Sequence, residues 1–210
     1  MWKWLIGTLA LALVFLGIGY FMLKGPDLAK YEALKTPRIV NLPDQKVLQI
    51  AVAGHPDKVL PKAFGVLFKT YYSLRGVPKG PGRAAPRLRM AVPRDMPKAE
   101  WEGYFKSEGW KGAIGVPVPD SVTEIVAPKG DTAFAVALTV WPYGDVAEIL
   151  HVGPYDKETP TIEALEDYVK NQGYEIVGEH EEEYLRGPGM PGSKPENYYT
   201  IIRYRIKKIE

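Results

Sequence analysis

The chain has 210 residues, with 27 Lys and Arg against 25 Asp and Glu and a formal net charge of +2, too small a balance for the basic stripe that nucleic-acid binding demands. It contains no cysteine, which excludes disulfide stapling, zinc thiolate sites and thiol catalysis. Thirteen Tyr and five Trp suit either cores with polar handles or ligand pockets.

Residues 4–23, WLIGTLALALVFLGIGYFML, form an uncharged apolar run of the length at which a helix spans a bilayer. Trp2, Trp4, Tyr20 and Phe21 stand near its ends and Lys3 and Lys24 bracket it, as headgroup-region anchors do. The run ends in YFMLKGP without a small-x-small cleavage site, which points to a retained single-pass transmembrane anchor over residues 1–24 rather than a cleaved signal peptide. Lys24, Lys30, Lys35 and Arg38 follow it while only Lys3 and the terminal amine precede it, so the positive-inside rule favours a cytoplasmic soluble domain. Residues 25–44 carry Pro26, Pro37 and Pro43 among mixed charges and read as a linker with at most one short helical turn at 28–34. That is too short for a separate DNA-binding module, and no direct nucleic-acid binding is expected.

Residues 45–210 have the size of one domain and repeat internally. At an offset of 99 residues, Val47, Ile50, Gly54, Asp57, Lys58 and Pro61 recur as Val146, Ile149, Gly153, Asp156, Lys157 and Pro160. Each copy opens with an apolar strand, a turn holding Gly and Pro, and a Pro near a helix start. In the first copy Val59, Ala63, Val66, Leu67, Thr70 and Leu74 make one helical stripe that Arg75-Gly76 ends. In the second, Ile162, Leu165, Tyr168 and Val169 make the stripe, Glu163, Glu166, Asp167 and Lys170 face water, and Gly173 terminates it. Further strands are predicted at 87–92, 112–118, 174–185 and 198–207, with 132–141 and 145–152 as a hairpin about Pro142-Tyr143-Gly144. The segment between 92 and 112 gives no clear pattern, and RGPGMPGSKPEN at 186–197 is a loop able to border a pocket. The expected fold class is α+β: duplicated strand-helix-strand-strand units forming a curved antiparallel sheet, with two helices on one face and the other face free to form a ligand cleft.

HVGPYD at 151–156, then Ile162, Leu165 and Tyr168, then N-x-G-Y-E-I-x-G from Asn171 and E-x-Y-L from Glu182 together resemble the GyrI-like effector-binding domain family. The match covers 145–206 closely and the first half through the repeat. The resemblance implies the duplicated fold, a relation to the SOUL haem-binding proteins, and a cleft in which a buried glutamate ringed by aromatics takes drug-like or cationic amphipathic compounds. Some members serve as ligand-binding domains of bacterial multidrug-responsive activators, and some relatives hydrolyse cyclopropane-containing genotoxins. The membrane segment in place of the family's DNA-binding part counts against transcriptional activation.

Glu182 occupies the acidic position of E-x-Y-L, and strand alternation sends it and Tyr184 to one face while Glu181, Glu183 and Leu185 take the other. In a cleft it would be a partly desolvated carboxylate, able to pair with a cation or to move a proton; the plainer reading of HEEEY is a solvated acidic edge. Tyr155 at the strand-helix turn, Trp141 and Tyr143 at the hairpin tip, and Tyr104 and Trp110 in the unassigned segment are further ligand-wall candidates through cation-π contact, or else core. The last strand alternates an apolar face, Tyr198 to Ile206, with a basic one holding Arg203, Arg205 and Lys207, the pattern of a half-buried strand. His55, His151 and His180 do not recur at metal-ligand spacing, so no metal and no cofactor are expected. Nucleotide-binding and serine-elbow motifs are absent. The functional expectation is a membrane-anchored module binding a hydrophobic or cationic small molecule through Glu182. Its alternatives are a hydrolase of strained or electrophilic rings, in which Glu182 activates water and Tyr155 or Tyr184 donates a proton, and a membrane-displayed protein adaptor.

Overall fold

Two copies of one unit meet edge to edge in a single antiparallel sheet. The computed structural model describes residues 27–80, 83–93, 96–125, 133–190 and 192–210. The elements in chain order are β1 (Arg38–Leu42), β2 (Gln45–Ala53), α1 (Pro56–Ser73), β3 (Arg87–Met90), α2 (Lys98–Phe105), β4 (Lys111–Pro117), β5 (Val136–Trp141), β6 (Gly144–Val152), α3 (Thr159–Asn171), β7 (Tyr174–Ile176), β8 (His180–Arg186) and β9 (Tyr199–Lys208). The strand order is β1-β6-β9-β8-β3-β4-β2-β5, with β7 also on β9. The first copy contributes β2-α1-β3-β4 and the second β6-α3-β8-β9, joined by antiparallel pairing of β3 with β8.

The predicted helical stripes are the buried ones. Ala63, Val66, Leu67 and Thr70 of α1 pack on Leu48, Ile50, Leu88 and Ile114, and Ile162, Leu165 and Val169 of α3 pack on Ile149, Ile202, Tyr204 and Ile206. Each such aliphatic side chain contributes roughly 1.5–3 kcal/mol on burial. Both helices therefore cover the same sheet face. Along that face Ile50, Ile114, Leu88, Glu182, Ile202 and Ile149 form one continuous cross-strand row.

Pairing differs from the sequence expectation at the outer edges. β5 and β6 are consecutive across Pro142-Tyr143, yet they do not form the predicted hairpin: β5 pairs with β2 and β6 with β1. Each copy's leading strand thus lies on the other copy's edge. Leu42 sits opposite Gly144 and Gln45 opposite Trp141, so the two edges meet at one corner, sealed by buried Val47, Trp141, Tyr143 and Val146. Gly115 makes room there, since a Cβ would come 2.9 Å from the Trp141 ring. The predicted strand 174–185 breaks into β7 and β8, with Gly178 pressed against Arg205, 2.7 Å from where a Cβ would stand. The unassigned segment supplies α2, whose Lys98 reaches Glu166 of α3 at 2.6 Å.

Part of the expected linker belongs to the folded domain. Residues 38–42 are β1, and a 3-10 turn at Ala29–Lys35 seats Leu34 against Leu150, Leu185 and Ile201. The face opposite the helices is consequently covered there rather than free. The predicted anchor, residues 4–23, lies outside the described residues. Among the described residues no helix is long and apolar enough to cross a membrane, and the expectation of a single-pass membrane protein with a cytoplasmic domain is corrected to that statement.

Candidate functional site

Alternation along β8 divides its acidic run between two environments. His180, Glu182 and Tyr184 face the helices, and Glu181 and Glu183 face the opposite side. None of the three glutamates is a solvated edge residue: they are 3%, 7% and 9% exposed at positions 181, 182 and 183.

On the opposite face, Arg89, Glu181, Arg203, Glu148 and Arg38 stand in register across five strands with alternating charge. Arg89 Nε donates to Glu181 Oε2 at 2.7 Å, and Arg203 Nη1 to Glu181 Oε1 at 2.7 Å. Arg203 Nη2 donates to Glu148 Oε2 at 2.8 Å, and Arg38 Nη2 to Glu148 Oε1 at 2.6 Å. Glu183 pairs with Arg87 Nε at 3.1 Å. Burial pushes the Glu181 carboxyl up, but Arg203, Arg87 and Arg89 outweigh it and hold it below the usual carboxylate range. This face, expected to be the cleft, is a charge-compensated interior.

On the helix face, Glu182 interrupts an apolar row and is not paired with Lys or Arg among the described residues. Tyr184 Oη donates to Glu182 Oε2 at 2.5 Å, and His180 Nε2 lies 3.0 Å from Oε1. His180 Nδ1 is 2.7 Å from the Tyr204 hydroxyl. Aromatic rings continue outward: Phe64 of α1 meets Tyr184 edge-on at 6.4 Å, Tyr155 meets Tyr184 at 5.6 Å, and Tyr198 meets Tyr155 at 5.2 Å. Tyr155 is 37% exposed and forms the outer lip. Gly187 in the following loop leaves space for its hydroxyl, which would be 2.7 Å from an added Cβ.

A second carboxyl arrives from the residue preceding α3. Glu158 is 5% exposed, and burial, then the charge of Glu182, pushes it up to about 10. Burial also pushes Glu182 up, but the hydrogen bond and charge of His180 and the Tyr184 hydroxyl outweigh it, holding Glu182 below the usual value. The pair therefore shares one proton, seated on Glu158 near neutral pH. Burial and then the Glu182 charge push the Tyr155 and Tyr184 hydroxyls up, keeping both protonated as donors.

Of the sequence candidates, the fold brings Glu182, Tyr184 and Tyr155 together and leaves four elsewhere. Trp141 and Tyr143 lie on the opposite face. Trp141 donates to Gln49 Oε1 at 2.5 Å beneath Arg89, and the Tyr143 hydroxyl donates to Glu181 at 2.8 Å and accepts from Arg87 at 2.6 Å. Trp110 is 1% exposed in the α1 core, and the Tyr104 hydroxyl donates to the Ala91 carbonyl at 2.8 Å. The sequence reading missed His180, although the alternation that selected Tyr184 also selects it. It missed Glu158, Tyr198 and Phe64 as well, which only packing brings in.

Two cavities flank the charge ladder. One of about 930 Å³ opens where β8 begins, between Arg89, Tyr143 and Glu181 on one side and Trp101, Glu166, His180 and Tyr204 on the other. One of about 330 Å³ lies under Tyr31 and Leu34 beside Glu148, Glu183 and Arg203. Glu182 lines neither; His180 is its link to the larger one.

No family model matches this chain, and no curated protein matches it significantly. Solved structures share its fold. A conserved protein of uncharacterised function from Listeria innocua aligns over 88% of this chain and 100% of its own at 20% identity and TM-score 0.69. A hydrolase from Listeria innocua aligns over 88% and 100% at 19% identity and TM-score 0.66, and the EcmrR C-terminal domain over 83% and 98% at 14% identity and TM-score 0.58. These likenesses establish the architecture: this chain has the fold that those proteins share.

Proposed function

We propose that this domain binds a hydrophobic or cationic small molecule between α1 and α3, with Glu182 as the charge partner and Tyr184, Tyr155, Tyr198 and Phe64 as walls. The observation that carries this reading is the contrast between faces. Glu181, Glu183 and Glu148 each pair with Arg, whereas Glu158 and Glu182 pair with no Lys or Arg among the described residues. A buried carboxylate held only by His180 and Tyr184 lacks the permanent cation that the other glutamates have, and a cationic ligand supplies it. Tetraphenylphosphonium titrated by calorimetry and thermal shift should stabilise the full chain and not its Glu182→Gln variant; equal stabilisation of both sinks the reading.

One observation favours hydrolysis of a strained ring as a second reading. Glu158, protonated, and Glu182, ionised, supply a proton donor and acceptor side by side. Glu182 would take a proton from water as the hydroxyl adds to a ring carbon. The ring C–C bond breaks, and the departing carbon takes its proton from Tyr155, Tyr184 or Glu158. Turnover of a cyclopropane-bearing substrate that vanishes in Glu182→Gln supports it, and intact substrate after long incubation dismisses it.

A further inference from the structure

The buried carboxyls of Glu158 and Glu182 converge with His180 in a specific geometry. One donor atom each from Glu158, His180 and Glu182 lies within 4.8 Å of the others, and all three residues are buried. Two further observations point to the same place. Among the described residues Glu158 Oε1, in a residue 5% exposed, finds no well-formed hydrogen bond, and neither does Oγ1 of Thr200, which is 0% exposed, faces the same side from β9 and stands beside the Glu158 carboxyl as a weak partner. Buried polar atoms so weakly paired are costly.

We propose that Glu158, His180 and Glu182 bind a divalent transition-metal cation of the Zn²⁺ or Mn²⁺ kind, with Thr200 Oγ1 placed to complete the set. Metal–nitrogen and metal–carboxylate bonds of about 2.0–2.2 Å put adjacent ligands roughly 3 Å apart, and His180 Nε2 stands 3.0 Å from Glu182 Oε1. To hold the cation, His180 would keep its proton on Nδ1, donated to the Tyr204 hydroxyl that is itself directed at Glu166, and the Nε2 atom that now meets Glu182 would turn its lone pair to the cation, as metal-bound histidines are commonly held. Two carboxylates neutralise a divalent charge, and one imidazole selects Zn²⁺ or Mn²⁺ over Mg²⁺ or Ca²⁺. The entry route is the 930 Å³ cavity, whose wall includes His180, Glu166 and Tyr204. In binding, the cation competes with an organic cation for Glu182.

The full chain, stripped with a chelator, is titrated with Mn²⁺ and Zn²⁺ by calorimetry, with Mg²⁺ as comparator. The expected result is one Mn²⁺ or Zn²⁺ per chain and no comparable Mg²⁺ uptake. Electron-spin-echo spectra of bound Mn²⁺ should show one imidazole nitrogen. Glu158→Gln and His180→Gln, checked for folding by circular dichroism, should each weaken binding about tenfold or more, and Tyr204→Phe by about tenfold. Absence of stoichiometric uptake by the unmodified chain overturns the proposal, as does unchanged affinity in folded Glu158→Gln and His180→Gln. Because no organic ligand is present, this outcome is separate from the small-molecule reading: tetraphenylphosphonium binding that Glu182→Gln abolishes, without metal uptake, leaves that reading standing alone.

Discussion

Glu182 lies directly opposite Leu88 across the β3–β8 pairing that joins the two copies of the repeat. At this join the apolar row under the helices changes from the α1 core to the α3 core, so a carboxylate there displaces little packing while being desolvated from both sides. The join is where the fold can hold a charge, and the aromatic residues of both copies converge on it.

Tyr184→Phe removes the hydroxyl that donates to Glu182 Oε2. Loss of a hydrogen bond to a buried charge costs about 1.5–3 kcal/mol. The variant should raise the Glu182 pKa and weaken uptake of tetraphenylphosphonium by about tenfold, read by calorimetry at pH 6 and pH 8. Equal affinity in the variant would sink the assignment of Tyr184 to the site.

Glu158 is held protonated in the folded chain, with its value raised to about 10 from 4.5. Between those values the folded state binds a proton that the unfolded state has released, so stability is full below pH 4.5 and falls as pH rises toward 10. The slope from this group approaches about 1.4 kcal/mol per pH unit. Urea unfolding at pH 6 and pH 9 should show that decline in the unmodified chain and a flatter profile in Glu158→Gln, which should be the more stable of the two at pH 9.

Arg203 donates to Glu148 and Glu181 and approaches Glu183 at 3.3 Å. Arg203→Met leaves those buried carboxylates short of their partner and should destabilise by about 3–5 kcal/mol, measured by urea unfolding at pH 7. Acid should narrow the gap. Glu181 is held below its unfolded value, so the stability it contributes is present above that unfolded value and is lost as pH falls through the folded one. A variant as stable as the unmodified chain would show the ladder to be dispensable.

Gly115→Ala puts a methyl 2.9 Å from the Trp141 ring, which is fixed by its bond to Gln49. Overpacking of this kind costs about 1–3 kcal/mol. Thermal unfolding should register the loss, and Trp fluorescence should shift as the corner between β2 and β6 opens.

Much of the domain was legible along the chain. The 3.6-residue stripes of α1 and α3 mark their buried faces, and the two-residue period of β8 separates Glu182 from Glu181 and Glu183. Both follow from local geometry, since a helix or strand fixes which side chains share a face. The site was only half legible for the same reason. His180 is two residues from Glu182, within reach of alternation, but Phe64 and Glu158 are brought there by tertiary packing.

By itself the sequence determined the duplication, the helix faces and the isolation of one glutamate, because these depend on neighbours within a few residues. Only the tertiary structure decided that Glu182 lies under the helices and not in an open cleft. Only there did β5 leave β6 to pair with β2, and only there did the basic face of β9 become Arg203 locked among three carboxylates. Each of these is a choice between strands or charges distant in sequence, settled by which edges meet and which buried charges find partners.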